Sequence, residues 1–186
     1  QLGFYLQDEW AVSPAFRLTA GVRFDVPIYP DEPNFNARID TFFVQQRGMD
    51  IGTNKTPKTT VNISPRIGFN WSIDDERNTQ LRGGVGVFSG RFPAVWVSNQ
   101  YSNTGVDFYT NTTRPDSFFA DPNKQFTGGV TTLPTAEVNL TDPNFKAPSI
   151  VRSNLALDHT LPYNLVLSIE GVYSITQNDV FFKNIN

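Results

Sequence analysis

The chain has 186 residues and a formal net charge of -3, with 15 Lys and Arg against 18 Asp and Glu. That length suits one domain or slightly more, and the near balance of charge excludes broad electrostatic binding to nucleic acid or to an anionic membrane surface. Cys is absent, which excludes a disulfide scaffold and a Cys-ligated metal; charged residues stand at only 18%, while Phe alone accounts for 16 positions. No run approaches the ~18 consecutive apolar residues of a membrane-spanning helix. The sequence opens inside a patterned segment, "QLGFYLQDEW", as an excerpt from a longer chain would.

Six segments alternate at period two, the spacing of strands, and none fits helical spacing. The first, about 2–12, places Leu2, Phe4, Leu6 and Trp10 on one face and Gly3, Tyr5, Gln7 and Glu9 on the other. After the turn "VSPA" comes 16–26, with Phe16, Leu18, Ala20, Val22 and Phe24 against Arg17, Thr19, Gly21, Arg23 and Asp25. The third, 62–72, sets Ile67, Phe69 and Trp71 against Arg66, Gly68 and Asn70, and turns through "IDDERN" into 79–89. There Leu81, Gly83, Val85 and Val87 oppose Gln80, Arg82, Gly84 and Gly86. The last pair, 150–161 and 165–177, is hinged on "LPYN", with Leu165, Leu167 and Ile169 opposite Val166, Ser168 and Glu170. All three turns consist of residues that favour tight reversals.

Between the hairpins run two long stretches, about 27–61 and 90–149. Structureless loops beyond ~12–15 residues are uncommon in compact domains, yet here they alternate strictly with short turns. Short turns on one side and long loops on the other are the pattern of a transmembrane β-barrel, and a tilted strand of ~9–11 residues crosses the hydrocarbon layer. Trp10, Phe16, Trp71 and Tyr163 stand beside the short turns, while Phe24, Phe88 and Tyr173 lie near the other strand ends. Rings of this kind gather at both membrane boundaries. The predicted fold is therefore an all-β antiparallel barrel segment whose apolar face meets lipid. A soluble β-sandwich shares the alternation, and would bury Phe4, Phe16 and Phe69.

The segments "FYLQDEW", "RLTAGVRFD", "SPRIGFNW", "LRGGVGVFSGRFP" and "DPNFKAPSIVRSNLALDHTLPYNLVLSIEGVYS" carry a family resemblance. In this order they resemble consecutive barrel segments of TonB-dependent outer-membrane receptors, nearest the Oar-like subgroup with a carboxypeptidase-regulatory-like domain before the plug. The resemblance runs along residues 1–186 and is poorest in the two loops. It implies a Gram-negative outer-membrane location, a barrel of ~22 strands around a plug, and energy-coupled uptake of a siderophore, glycan or peptide. It also implies lipid, the rest of the barrel and its plug, TonB and a surface lipoprotein as partners, with no nucleic acid, no cofactor and no covalent chemistry. The plug and the TonB-contacting box match nothing in these residues.

Candidate site residues divide into two groups. Arg17, Arg23, Arg66, Arg82, Arg152 and Glu170 fall on the polar phase of their strands, the lumen side of such a barrel, where they would pair with plug carboxylates or attract substrate. In the second loop, Phe92, Trp96, Tyr101, Phe108 and Tyr109 stand among Asn, Ser and Thr, a composition that suits stacking and edge hydrogen bonding to a glycan or peptide. The same rings equally suit packing of the loop on itself. "GGVGVFSG" has the glycines of a phosphate loop but neither the Lys-Ser/Thr pair nor a following helix; small residues in a strand instead permit bending or close approach. His159, the sole His, lacks the further ligands of a zinc site, and no G-x-S-x-G marks a hydrolase. The Asp-Pro-Asn turns lack the ligand spacing of a dedicated calcium loop. Two rival readings remain, an adhesive or structural barrel without transport and a soluble carbohydrate-binding module.

Overall fold

Alternation of this kind forms strands when each face has its own environment, and all six segments do so. The computed structural model describes residues 1–76, 78–91, 94–107, 119–124 and 137–185. Strands β1 (Leu2–Ala11), β2 (Phe16–Val26), β3 (Asn62–Ser72), β4 (Thr79–Ser89), β5 (Ser149–Leu161) and β6 (Leu165–Asn178) build one sheet, each antiparallel to the next and in sequence order. The chain divides into two compact units. The sheet unit comprises Gln1–Ile28, Thr59–Phe92 and Lys146–Asn186, and the loop unit Tyr29–Lys58 and Pro93–Phe145.

The short turns owe their geometry to local hydrogen bonds. Between β1 and β2, Ser13 exchanges two backbone bonds with Phe16, and its hydroxyl accepts a third from the Phe16 N–H at 3.0 Å. Between β3 and β4, the Asp74 carboxylate accepts the Asn78 N–H at 2.7 Å. The β5–β6 turn (Pro162–Asn164) has Pro at its start and Tyr163 at φ 67°, a left-handed conformation in which Cβ crowds the backbone.

Register aligns like faces across the sheet. Trp10 stands opposite Leu18, Leu18 opposite Phe69, Phe69 opposite Gly83 and Gly83 opposite Leu155. Phe16 faces Trp71 directly, and the Phe16 and Phe69 rings stack at 6.2 Å. One interruption has an evident cause. The β3–β4 ladder begins at Arg66↔Gly86, one residue after Pro65, which has no N–H to donate. Beyond it the Ser64 hydroxyl bonds the Ser89 hydroxyl at 3.2 Å.

Among the described residues, nothing in the sheet unit covers the apolar face. Phe4 is 63% exposed, Leu6 71% and Ile169 61%, and Ala156 is the only buried hydrophobic residue among the described strand positions. Burying a side chain of this size away from water is worth ~1.5–3 kcal/mol, so a sheet folding alone in water would forgo that gain at each such position. A sandwich would have placed these side chains against a second sheet. β1 and β6 are the sheet's edges.

The loop unit differs from the long loops expected between the hairpins, because it contains helices. Asn36 caps α1 (Ala37–Asp40), its Oδ1 accepting the Arg38 N–H, and the chain continues through a π-helical stretch (Thr41–Gln46). Helix α2 (Val95–Ser102) presents Gln100, fully buried, to three carbonyls. Its Nε2 donates to Thr53 O at 2.8 Å and Lys55 O at 2.9 Å, with Gly52 O at 3.4 Å, and its Oε1 accepts the Thr141 N–H at 3.0 Å. Asn36, Thr53 and Thr104 are buried beside it in the same unit, Asn36 Nδ2 donating to Thr104 O at 2.8 Å.

Candidate functional site

Period two sends every second side chain of each strand to the polar face, and antiparallel register sets these residues in rows. One row runs Gly21–Arg66–Gly86–Arg152–Ser174, and the next Thr19–Gly68–Gly84–Asn154–Val172. A third runs Arg17–Asn70–Arg82–Ala156–Glu170. The structure thus sets Arg17, Arg23, Arg66, Arg82, Arg152 and Glu170 on a single face of the sheet.

Three of the five arginines are matched by carboxylates. Arg17 Nη1 lies 3.0 Å from Glu9 Oε1. Arg23 grips Asp25 with two bonds, Nε at 2.6 Å and Nη2 at 2.8 Å, a fork geometry that planar guanidinium favours. Arg82 Nε donates to Asp158 Oδ2 at 2.8 Å, and its Nη2 stands 3.9 Å from Glu170 Oε2. Ala156, in register between Arg82 and Glu170, is only 1% exposed. Asp158 also accepts from the Ser168 hydroxyl, and Glu170 from Asn154 Nδ2 at 3.1 Å.

Arg66 and Arg152 are held by neutral groups. The Arg66 guanidinium carbon lies 4.5 Å from the centroid of the Tyr5 ring, two strands away. Gly21, opposite Arg66 on one side and Gln7 on the other, lies on the diagonal between them, and a Cβ there would come within 3.4 Å of Arg66 Nε. Arg152 Nε donates to Ser174 Oγ at 3.0 Å. Between the two arginines lies a hollow of about 280 Å³ floored by Gly68, Gly84 and Gly86, with Thr19 and Asn154 at one end and Phe88 at the other. A Cβ at Gly84 would stand 2.8 Å from the Ile67 carbonyl oxygen, so backbone packing itself demands glycine there.

Phe88 corrects one expectation. Sequence placed it with the boundary aromatics, but register sets it opposite Ile150 on the polar face, where its ring lies 3.1 Å from a Cβ built on Gly86. Counting the period of two from Gly84 and Gly86 was the signal that located it. The same count places Gly68, Thr19 and Asn154, none of which stood among the candidates from sequence.

Among the loop candidates, Trp96 and Tyr101 belong to α2 and are half-buried, while Phe92, Phe108 and Tyr109 lie outside the described residues. The Tyr101 hydroxyl donates to the Asp31 carbonyl at 2.5 Å, a contact that joins two segments of the loop unit. Burial pushes the Tyr101 and Tyr29 phenols above their ordinary range. His159 and Asp158 are adjacent in sequence but alternate in face. His159 Nδ1 lies 2.9 Å from Thr79 Oγ1, whereas Asp158 binds Arg82. Among the described residues no three His, Cys, Asp or Glu side chains converge as a metal-holding set.

No curated protein matches the chain. No solved structure matches it either. A family model does match, described as an outer membrane beta barrel domain and covering residues 1–186. It accounts for what the sheet alone presents: six antiparallel strands, one face apolar and uncovered, the other rich in paired charge. The chain belongs to the outer membrane beta barrel domain family and is a barrel-wall protein of the bacterial outer membrane.

Proposed function

We propose that the protein acts in TonB-dependent, energy-coupled uptake of a scarce nutrient, such as a siderophore, glycan or peptide, and performs no covalent chemistry. The barrel segments quoted from the sequence support this reading through their likeness to that receptor family, nearest the Oar-like subgroup. The observation that carries it is the polar face, which bears five arginines and a run of bare glycine backbone at Gly68, Gly84 and Gly86. Small barrels fill their interiors with side chains, whereas the larger transporter barrels hold a plug. A wall thinned by Gly21, Gly68, Gly84 and Gly86 leaves room for such an occupant.

In this reading the polar face is the lumen, and Arg17, Arg23, Arg66, Arg82, Arg152 and Glu170 face what passes or plugs it. Both sheet edges pair with further strands, since unpaired backbone groups in hydrocarbon cost several kcal/mol each. The loop unit is extracellular, and its aromatics, Trp96 and Tyr101 among them, meet the ligand or a partner lipoprotein. The test is growth of the producing bacterium on a limiting nutrient, with and without TonB. Loss of growth in both the TonB deletion and the deletion of this gene supports uptake. Retention of growth without TonB in a strain that still needs this gene overturns it and leaves an adhesive or structural barrel.

A further inference from the structure

We propose that the loop-side end of the seam between β3 and β4 is a lateral gate in the wall, hinged at the Arg66–Gly86 pair and latched by the Ser64–Ser89 hydrogen bond. The inference does not depend on the uptake reading; it requires only a barrel wall with lipid on one side. Register carries it. β3 stays paired with β2 as far as Asn62, and β4 with β5 as far as Ser89. Between β3 and β4 themselves, the register pairs run only from Ser72↔Gln80 to Arg66↔Gly86. Residues 62–65 therefore belong to one wing of the sheet and residues 87–89 to the other, with no ladder joining the two wings.

Fraying of strand ends does not account for the break, because both strands continue past it and each keeps its other neighbour. Pro65 has no N–H, so a donor is missing where the pairing stops. A residue with an N–H at that position would allow the ladder to extend. In its place stands one side-chain bond, Ser64 Oγ donating to Ser89 Oγ at 3.2 Å, with Ser64 only 8% exposed. Continued register would set Ser64 opposite Phe88, two residues beyond Arg66↔Gly86, yet its hydroxyl reaches Ser89. The pleats of β3 and β4 thus no longer match beyond the hinge. A single neutral hydrogen bond makes only a small net contribution, whereas the ladder on the turn side of the hinge is continuous.

Parting the wings at this place joins the two sides of the wall. On the polar face, the hollow is lined by Arg66 and Gly86, the last ladder pair, and by Phe88 beyond it. The Phe88 ring lies over Gly86, 3.1 Å from a Cβ built there, and so borders the seam on the lumen side. On the apolar face, Ile63 stands in register with Phe24 and is 54% exposed, at the level of the boundary aromatics. Irregular backbone at membrane depth is tolerated where protein covers it or where it lines a cavity. A seam beside a hollow meets the second condition.

The test is a spin–spin distance measurement on the full-length protein in lipid vesicles, with one nitroxide on each wing. Val22→Cys on β2, opposite Pro65, and Val151→Cys on β5, opposite Val87, carry the labels across the seam. Leu18→Cys and Leu155→Cys span the same four strands through the laddered pair Phe69↔Gly83. The 186 residues contain no Cys, so the introduced thiols are the only ones in this part of the wall. The laddered pair should give one narrow distance distribution. The seam pair should add a second population, longer by about one strand spacing, ~5 Å. Ser64→Ala, which removes the latch, should enlarge that population roughly two- to tenfold. Pro65→Val, which supplies the missing donor, should diminish it. Folding of each variant is checked by heat-modifiable gel mobility. A single narrow distribution from both label pairs overturns the gate, as does a longer population of equal size at both. Indifference of the seam distances to both Ser64→Ala and Pro65→Val overturns it too, since the end of the ladder would then be a fixed feature of the wall.

Discussion

Tyr163 turns the β5–β6 hairpin at φ 67° with its ring 95% exposed, so no packing within the chain compensates the left-handed backbone. Such a conformation costs a non-glycine residue ~1–2 kcal/mol, and Asn tolerates it better. Tyr163→Asn should raise stability in micelles by about 1 kcal/mol, seen as a higher urea midpoint at unchanged slope; an unchanged or lower midpoint would mean that the ring's place at the membrane boundary outweighs the strain. Asp107, in the loop unit, is a second residue with a legible energetic role. Donors from the Thr104 hydroxyl and Asn34 Nδ2 hold its carboxyl below the usual carboxylate range. Its contribution is complete above the ordinary carboxylate pKa of ~3.9 and is lost as pH falls through the lower folded value. Amide-exchange protection around residues 104–107 should therefore decline in acid, and Asp107→Asn should flatten that dependence.

At the scale of elements, strands and loop helices depend on different things. Each strand gains from neighbours in register, and its pattern can be read from a few consecutive residues. Helix α2 has only eight residues, too few to stand alone, and is held by Gln100. That one side chain satisfies carbonyls of Thr53 and Lys55 and the N–H of Thr141. Leaving buried polar groups unpaired costs ~1–3 kcal/mol each. Gln100→Ala should destabilise the loop unit by about 2–3 kcal/mol, with faster exchange at residues 52–55 and 141 and unchanged protection in β1–β6. Equal loss of protection in the strands would mean that the loop unit and sheet unfold as one.

For the whole molecule, the decisive quantity is what the apolar face meets. Leu155 lies near the middle of β5, 54% exposed and opposite Gly83 and Gly171. On a lipid-facing wall, Leu155→Arg should cost ~2–4 kcal/mol at the bilayer midplane, measured as reduced folding yield and stability in lipid vesicles. Thr19→Arg, on the polar face opposite Glu9 and Gly68, should cost little. Similar costs for the two would remove the distinction between faces on which the barrel architecture rests.

The six strands, their turns and the two chemical faces were legible in the sequence, because period two and turn chemistry are local properties. The five arginines fall on one face by sequence position alone, since face depends only on odd or even position within a strand. Which of them lack a carboxylate was not legible. Arg66 reaches Tyr5 across Gly21 only because β1, β2 and β3 adopt one register, and the glycine floor is continuous only because Gly68 meets Gly84 and Arg66 meets Gly86. Register arises from pairing between distant segments, so a single strand read alone does not contain it. The loop unit was hidden for the same reason: Gln100 finds its partners 41 to 48 residues away in sequence, a separation at which neither helical period nor turn signal carries information. The sequence by itself therefore determined the wall and its two faces through local pattern, and only the tertiary structure decided where that wall is hollow and which partner each charge finds, because both depend on register between distant segments.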